Sequence, residues 1–306
     1  MKPYVRESHR IPAHGVELDA WVYLPNLPDQ DHPCAAIVMS HGFAAVKELY
    51  IDKFAEHFAE AGFVVVLYDH RNFGKSGGDT KGEIVPYQQV EDMREVLTWV
   101  AQRNDVDASR IGVWGSSFSG GHAITIGALD RRVSCVVSQV PTISGYQNLL
   151  RRAGVQIHSV LKTFQADRAA RYLGEAPRYR RVIAEDGEPG IFSSDGAEEF
   201  FGAAETLAEG WQNRVTMRSS EKASEYEPGL LIDRISPTPL LMLVAERDSV
   251  TPTDLAIAAY HRALEPKRLV MLPDGHFDPY VKHADRAKKE ALEWFKMHLQ
   301  LPLTQP

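Results

Sequence analysis

At 306 residues, with 44% hydrophobic and 25% charged side chains, the chain has the composition of an ordinary globular protein, long enough for one large domain or two small ones. A net charge of −7 leaves no electrostatic footprint for nucleic acid, and no basic stretch is long enough to hold an anionic membrane. No uninterrupted apolar stretch reaches spanning length and residues 1–7 carry no apolar core for export, so a cytoplasmic location is expected.

Residues 4–11 and 18–24 read as strands joined across Ala13-His14-Gly15, a hairpin signal. Residues 35–40 are continuously apolar, as in a strand covered on both faces, and end in His41-Gly42-Phe43. Residues 47–61 form an amphipathic helical pattern stopped by Gly62, and 63–68 a second buried strand running into the glycine-rich loop 69–78. A helix opened by Pro86 extends to about Gln102. Further strands are expected at 111–114, 133–140, 239–245 and 268–272, with a closing helix at 284–299. Strands alternating with helices imply crossover units and a mostly parallel sheet, an α/β architecture with helices on both faces. Cys34 and Cys135 each stand in or beside an apolar run and are expected as free thiols.

Residues 141–236 break this rhythm. They lack a convincing strand, carry helical patches at 148–164 and 198–207, and are too long for a structureless loop. The expectation is a helical insertion, the core then comprising 1–140 and 237–306. Its many arginines (Arg151, Arg152, Arg168, Arg171, Arg178, Arg180 and Arg181) read as a solvated surface paired with nearby acids.

The chemistry concentrates in Gly115-Ser116-Ser117-Phe118-Ser119-Gly120, between a short β-branched strand and small residues that open a helix. A hydroxyl at the apex of such a strand–helix turn is the nucleophile-elbow pattern. Gly115 lies two before Ser117, and Ser119 two after it, where Gly is usual. Ser116 has bulky Trp114 two before it, and Ser119 lies half a turn further along the helix, which leaves both as weaker alternatives. A serine needs a base and the base an orienting acid. Asp248 and His276 follow late strands, and the order Ser117, Asp248, His276 fits the elbow. Glu246 is an alternative acid, whereas Asp254 reads as a first-turn helix residue. His122 is expected as a packed residue, His283 as solvent-facing, and Asp278 as an aid in holding the His276 loop. No His-Glu-x-x-His, Cys-x-x-Cys or phosphate-cradling glycine loop is present, so no metal or other cofactor is implied.

Over essentially its whole length the chain resembles the α/β-hydrolase superfamily. The motifs are His41-Gly42-Phe43, the stretch from Asp69 to Ser76, the elbow, Ala245-Glu246-Arg247-Asp248 and Gly275-His276-Phe277. The nearest likeness is to the serine esterase-like branch of dienelactone-hydrolase, acyl-peptidase and polyketide-transferase type. Departures are Asn72 where Gly is common, and Ser119. The resemblance implies an oxyanion hole at the backbone N–H groups of Phe43 and Phe118. It also implies hydrolysis of a small-molecule carboxylic ester or thioester through acyl-Ser117. Acyl transfer from the same intermediate is the alternative. A peptidase is less favoured because such peptidases usually carry a large appendage, and a non-enzymatic binding protein least, because the triad is intact. The insertion is expected to act as a cap, with Phe200, Phe201 and Trp211 as candidates for an acyl pocket or for the cap's own core. Oligomeric state, a homodimer included, is left open.

Overall fold

In the computed structural model, which describes residues 3–26, 32–194 and 196–299, the apolar runs assemble into one eight-stranded sheet. Strands β1 (Tyr4–Ala13) and β2 (Val16–Pro25) form the expected hairpin, turning through His14 and Gly15 at positive φ. They are followed by β3 (Cys34–Ser40), helix α1 (Asp52–Glu60), β4 (Val64–Tyr68), α2 (Pro86–Ala101), β5 (Val106–Ser116), α3 (Phe118–Leu129) and β6 (Val133–Gln139). After the insertion come β9 (Leu240–Ala245), α9 (Thr253–Arg262), β10 (Lys267–Leu272) and α10 (Ala284–Leu299). Between them the insertion contributes α4 (Gly145–Ala153), α5 (Ile157–Tyr172), β7 (Tyr179–Arg180), α6 (Ala197–Gly202), α7 (Ala204–Leu207), β8 (Val215–Thr216) and α8 (Met217–Ser224).

The sheet order is β1-β2-β4-β3-β5-β6-β9-β10. The first two pairings, β1–β2 and β2–β4, are antiparallel and the other five parallel. Side chains alternate between two cores, as a period of two requires. Ile37 and Met39 of β3 pack toward α1 and α10 with Phe54, Phe58 and Phe295, while Ala36 and Val38 pack toward α2, α3 and α9 with Val96, Ile124 and Ala256. From β3 the chain passes first to β4 on one side and then to β5 on the other. This switch point opens a crevice at the carboxyl ends of the strands, where an open α/β sheet binds its ligands.

The helix expected over 47–61 begins only at Asp52, because the preceding loop is shaped by a buried charge. Lys47 Nζ lies 2.5 Å from Asp69, 2.7 Å from Asp19 and 3.1 Å from Glu48, tying this loop to β2 and to the loop after β4. Burial alone would push the Lys47 ammonium pKa down, but Asp69 and Glu48 outweigh it and hold the pKa above its ordinary value. Ala44 and Tyr50 take positive φ around this turn, which a continuous helix could not accommodate.

Residues 141–236 are largely helical, with several differences from the sequence pattern, the patch at 198–207 being divided into α6 and α7. The patch at 148–164 is split: α4 ends at Ala153, Gly154 takes φ 51° and a short 3-10 turn leads into α5. A two-residue antiparallel ladder joins β7 to β8, too short for any periodicity to reveal. The returning segment Pro228–Arg234 packs back on the core helix α3. Tyr226 Oη is 2.7 Å from Thr125 Oγ1, and a Cβ at Gly121 would meet Pro228 at 2.9 Å.

Candidate active site

Ser117 stands alone between the last residue of β5 and the first of α3, at φ 57° and ψ −117°. Such a backbone is costly for a residue with a Cβ, by about 1–3 kcal/mol, and persists only where the surroundings hold it. Its N–H donates to Gln139 O at 2.9 Å and its carbonyl accepts from Thr142 N–H at 2.9 Å, so the end of β6 clamps both sides of the turn. Small residues are needed because the helix doubles back against the strand. A Cβ on Gly115 would lie 1.9 Å from Ser119 O, one on Gly120 2.9 Å from Gln139 O, and one on Gly42 3.0 Å from Ser117 Cβ.

The two candidate partners arrive on adjacent loops, since β9 and β10 run parallel in register from Leu240↔Lys267 to Ala245↔Leu272. His276 Nδ1 lies 2.7 Å from Asp248 Oδ2, and Nε2 lies 2.9 Å from Ser117 Oγ. A carboxylate can only accept, so Nδ1 carries the proton and the Nε2 lone pair is turned to the serine hydroxyl. Asp248 is fixed in turn by N–H donors from Val250 and Thr251, 2.9 and 2.7 Å from Oδ1, with Thr251 Oγ1 2.9 Å from Oδ2. All three side chains are buried, with Ser117 8% exposed toward a cavity.

The alternative serines are engaged elsewhere. Ser116 Oγ donates to Tyr280 Oη at 2.6 Å, and Ser119 Oγ donates to the His41 carbonyl. Ser119 also receives His70 Nε2–H at 2.8 Å, and the His70 N–H donates to His41 Nε2 at 3.0 Å. One hydroxyl therefore ties the first turn of α3 to the loop after β3, a role that its substitution for glycine does not reveal in sequence. His41, His70 and His122 are all buried, and burial holds their imidazoles below the ordinary histidine pKa, that of His122 down to about 3. His122 is held between Tyr226 Oη and Gln89 Oε1, each at 3.0 Å. Glu246 is exposed, and Asp254 heads α9 in a bidentate pair with Arg151 at 2.6 and 2.7 Å. Asp278 accepts from Gly275 N–H at 2.8 Å. His283 is half-buried rather than open to solvent, its Nε2 2.9 Å from Asp274.

A cavity of about 250 Å³ opens over Ser117. The core supplies Phe43 and Phe118 to its wall, and the insertion supplies Leu149, Val160, Ile191 and Phe192. Arg152 and Arg180 line it as well, and among the described residues no carboxylate does. Among the described residues the N–H groups of Phe43 and Phe118 have no backbone acceptor, Phe118 being the first residue of α3. A narrow crevice of about 20 Å³ on the other side of Ser117 and His276 is closed by Phe200, Phe201 and Phe277. Phe200 and Phe201 are buried in the hydrophobic core, and neither lines the larger cavity. Trp211 lines neither space; it stacks on Phe201 and its Nε1 donates to Ala44 O at 2.8 Å.

The model of the X-Pro dipeptidyl-peptidase (S15) family matches residues 14–278. The chain belongs to that family. Among curated relatives, polyketide transferase grgF of Penicillium sp. is 30% identical over 93% of this chain and 94% of its own length. Thiohydrolase aneE of Aspergillus aculeatus is 31% identical over 78% of this chain and 77% of its own. Among solved structures, the α/β hydrolase GrgF from Penicillium sp. sh18 superposes with a TM-score of 0.83 at 28% identity, covering 97% of this chain and all of the other. This S15-family chain thus has the α/β-hydrolase fold and belongs with serine hydrolases and acyltransferases. None of its described helices is long and apolar enough to cross a membrane.

Proposed function

We propose that the chain cleaves a carboxylic ester or thioester of a small molecule, with Ser117 as nucleophile, His276 as base and Asp248 as its orienter. The observation that carries this reading is the unbroken relay from Asp248 through His276 to Ser117 Oγ, ending in a mostly apolar cavity. Ser117 Oγ attacks the carbonyl carbon as its proton passes to His276 Nε2. The carbonyl oxygen takes up the negative charge against the free N–H groups of Phe43 and Phe118, where one such donor contributes about 3–4 kcal/mol to the transition state. Collapse breaks the bond to the leaving oxygen or sulfur, which takes the proton from His276. Water, deprotonated at Nε2, then repeats the sequence on acyl-Ser117, releasing the acid and restoring the serine.

A dipeptidyl-peptidase reading is less favoured by this cavity. A substrate's terminal ammonium, once desolvated, needs a carboxylate partner, and the lining offers two guanidinium groups instead. Acyl transfer to an alcohol or amine remains the second reading, favoured by the near-full-length relative named as a transferase. Residues 141–236 serve in this reading as a cap, since Leu149, Val160, Ile191 and Phe192 wall the space over Ser117.

A fluorophosphonate probe tests the assignment. It is expected to add one phosphonyl mass to the Ser117 peptide, and a folded Ser117→Ala variant is expected to remain unlabelled. Labelling at Ser119 or Ser116 would reassign the nucleophile. Turnover of acyl thioesters with and without an added alcohol or amine, read as the acid-to-conjugate product ratio, separates hydrolysis from transfer.

A further inference from the structure

The arginines of the insertion divide into two groups. Arg151 pairs with Asp254, Arg168 with Glu221, Arg171 with Asp167 and Glu221, Arg178 with Glu175, and Arg181 with Glu185. Arg152 and Arg180 differ. Among the described residues neither has a carboxylate within ion-pair distance, and Arg180 has a long contact of 3.5 Å to Ser220 Oγ. Both line the cavity that contains Ser117. Arg152 lies on the last turn of α4 and Arg180 on β7, so two separate elements bring them to one space.

Two unpaired cations sharing one cavity disfavour each other, and desolvation adds to the cost. Arg152 is exposed, and it opens on the cavity. Desolvation there and the charge of Arg180 together hold its guanidinium down to about 10, so it is still charged at neutral pH. Burial also lowers the pKa of Arg180. On its outer side Arg152 borders a shallow groove with Glu246 and Asp254, but Asp254 is occupied by Arg151 and Glu246 stands beyond ion-pair distance. What both guanidinium groups lack is an oxyanion, which they can hold through paired N–H donors.

We infer that Arg152 and Arg180 form an anion-recognising subsite, so that the substrate carries a carboxylate or phosphate group near the carbonyl attacked by Ser117. This rests on the esterase or thioesterase reading above and narrows its substrate class. Because both arginines line the same cavity as Ser117, the anion belongs to the molecule that Ser117 attacks. The anion has two chemical sources: the far end of a dicarboxylic acyl chain, or a phosphate on the leaving thiol.

Three thioesters separate these sources: hexanoyl-N-acetylcysteamine as the neutral reference, glutaryl-N-acetylcysteamine with a carboxylate on the acyl side, and hexanoyl-phosphopantetheine with a phosphate on the thiol side. The wild-type enzyme is expected to favour one anionic thioester over the neutral one by about tenfold or more in kcat/KM, the favoured one identifying the source. In the Arg152→Gln/Arg180→Gln double variant this ratio is expected to fall by about 10- to 100-fold, mainly through KM. Arg152→Lys, which keeps charge but loses the planar fork, is expected to give an intermediate ratio. Arg178→Gln, a surface arginine paired with Glu175, should leave the ratio at its wild-type value. A wild-type enzyme that prefers neither anionic thioester, or a double variant that keeps the preference, overturns the subsite. Fluorophosphonate labelling of Ser117 alongside such a flat ratio would leave the hydrolase reading standing; absence of labelling would remove both.

Discussion

Replacing His276 with Ala is expected to lower kcat by about 10⁵- to 10⁶-fold while leaving the melting temperature nearly unchanged, as removal of the base does in serine hydrolases with the same relay. The size follows from geometry: Nε2, 2.9 Å from Ser117 Oγ, is the acceptor placed to take its proton. Asp248→Asn is expected to cost about 10⁴-fold, because an amide donor facing Nδ1 favours the wrong tautomer. Combining His276→Ala with Ser117→Ala should give no further loss, since the two side chains act as a unit. Steady-state turnover of a chromogenic acyl ester checks all three. A fully active Asp248→Asn enzyme together with an inactive Glu246→Gln enzyme would move the acid to Glu246.

Gly115→Ala is expected to prevent stable folding rather than to lower a rate. Its Cβ would lie 1.9 Å from Ser119 O and 2.5 Å from the attached carbon, both backbone atoms of α3 that no side-chain rotation can move. Ordinary overpacking costs about 1–3 kcal/mol, and a backbone collision at this distance belongs above that range. Total stability is about 5–15 kcal/mol, so soluble yield and the denaturant midpoint should both drop sharply. Gly187→Ala gives the matching control, since nothing lies within 4 Å of its Cβ position. Because Gly187 has φ 80°, this change should cost only local backbone strain, about 1 kcal/mol. A Gly115→Ala protein as stable as the parent would mean that strand and helix can separate at the elbow.

The sheet and the order of the catalytic candidates were legible because each is written locally. Runs such as 35–40 and 239–245 are apolar on both faces, and their buried strands follow directly. Ser117, Asp248 and His276 each stand just past a strand, and a parallel sheet brings such loops to one edge. Asn72 was visible as a departure but not explained. It takes φ 69°, a conformation that favours Gly and that Asn tolerates better than most residues, and its Nδ2 donates to Glu83 O at 2.9 Å. What escaped depends on distant partners. Lys47 reads as a helix-start residue until Asp19 and Asp69, from two separate segments, converge on it beside its neighbour Glu48. Arg152 and Arg180 are indistinguishable in sequence from the five paired arginines around them, because the pairing is tertiary. Ser119 shows its function only once α3 and the loop after β3 are in contact.

The three histidines packed beneath the elbow also make the molecule sensitive to acid. Each is buried with its pKa depressed in the folded chain, whereas in the unfolded chain it returns to about 6.5. Above pH 6.5 neither state is charged at these positions and they leave stability unaffected. Below it the unfolded chain binds three protons that the folded chain refuses, so stability falls as the pH drops from 6.5 toward the depressed values. For His122, held down to about 3, the loss is about 1.4 kcal/mol for each pH unit below 6.5, and His41 and His70 act in the same direction. The hydrogen-bonded imidazoles that hold the nucleophile turn in place therefore make the folded chain less stable as its surroundings are acidified.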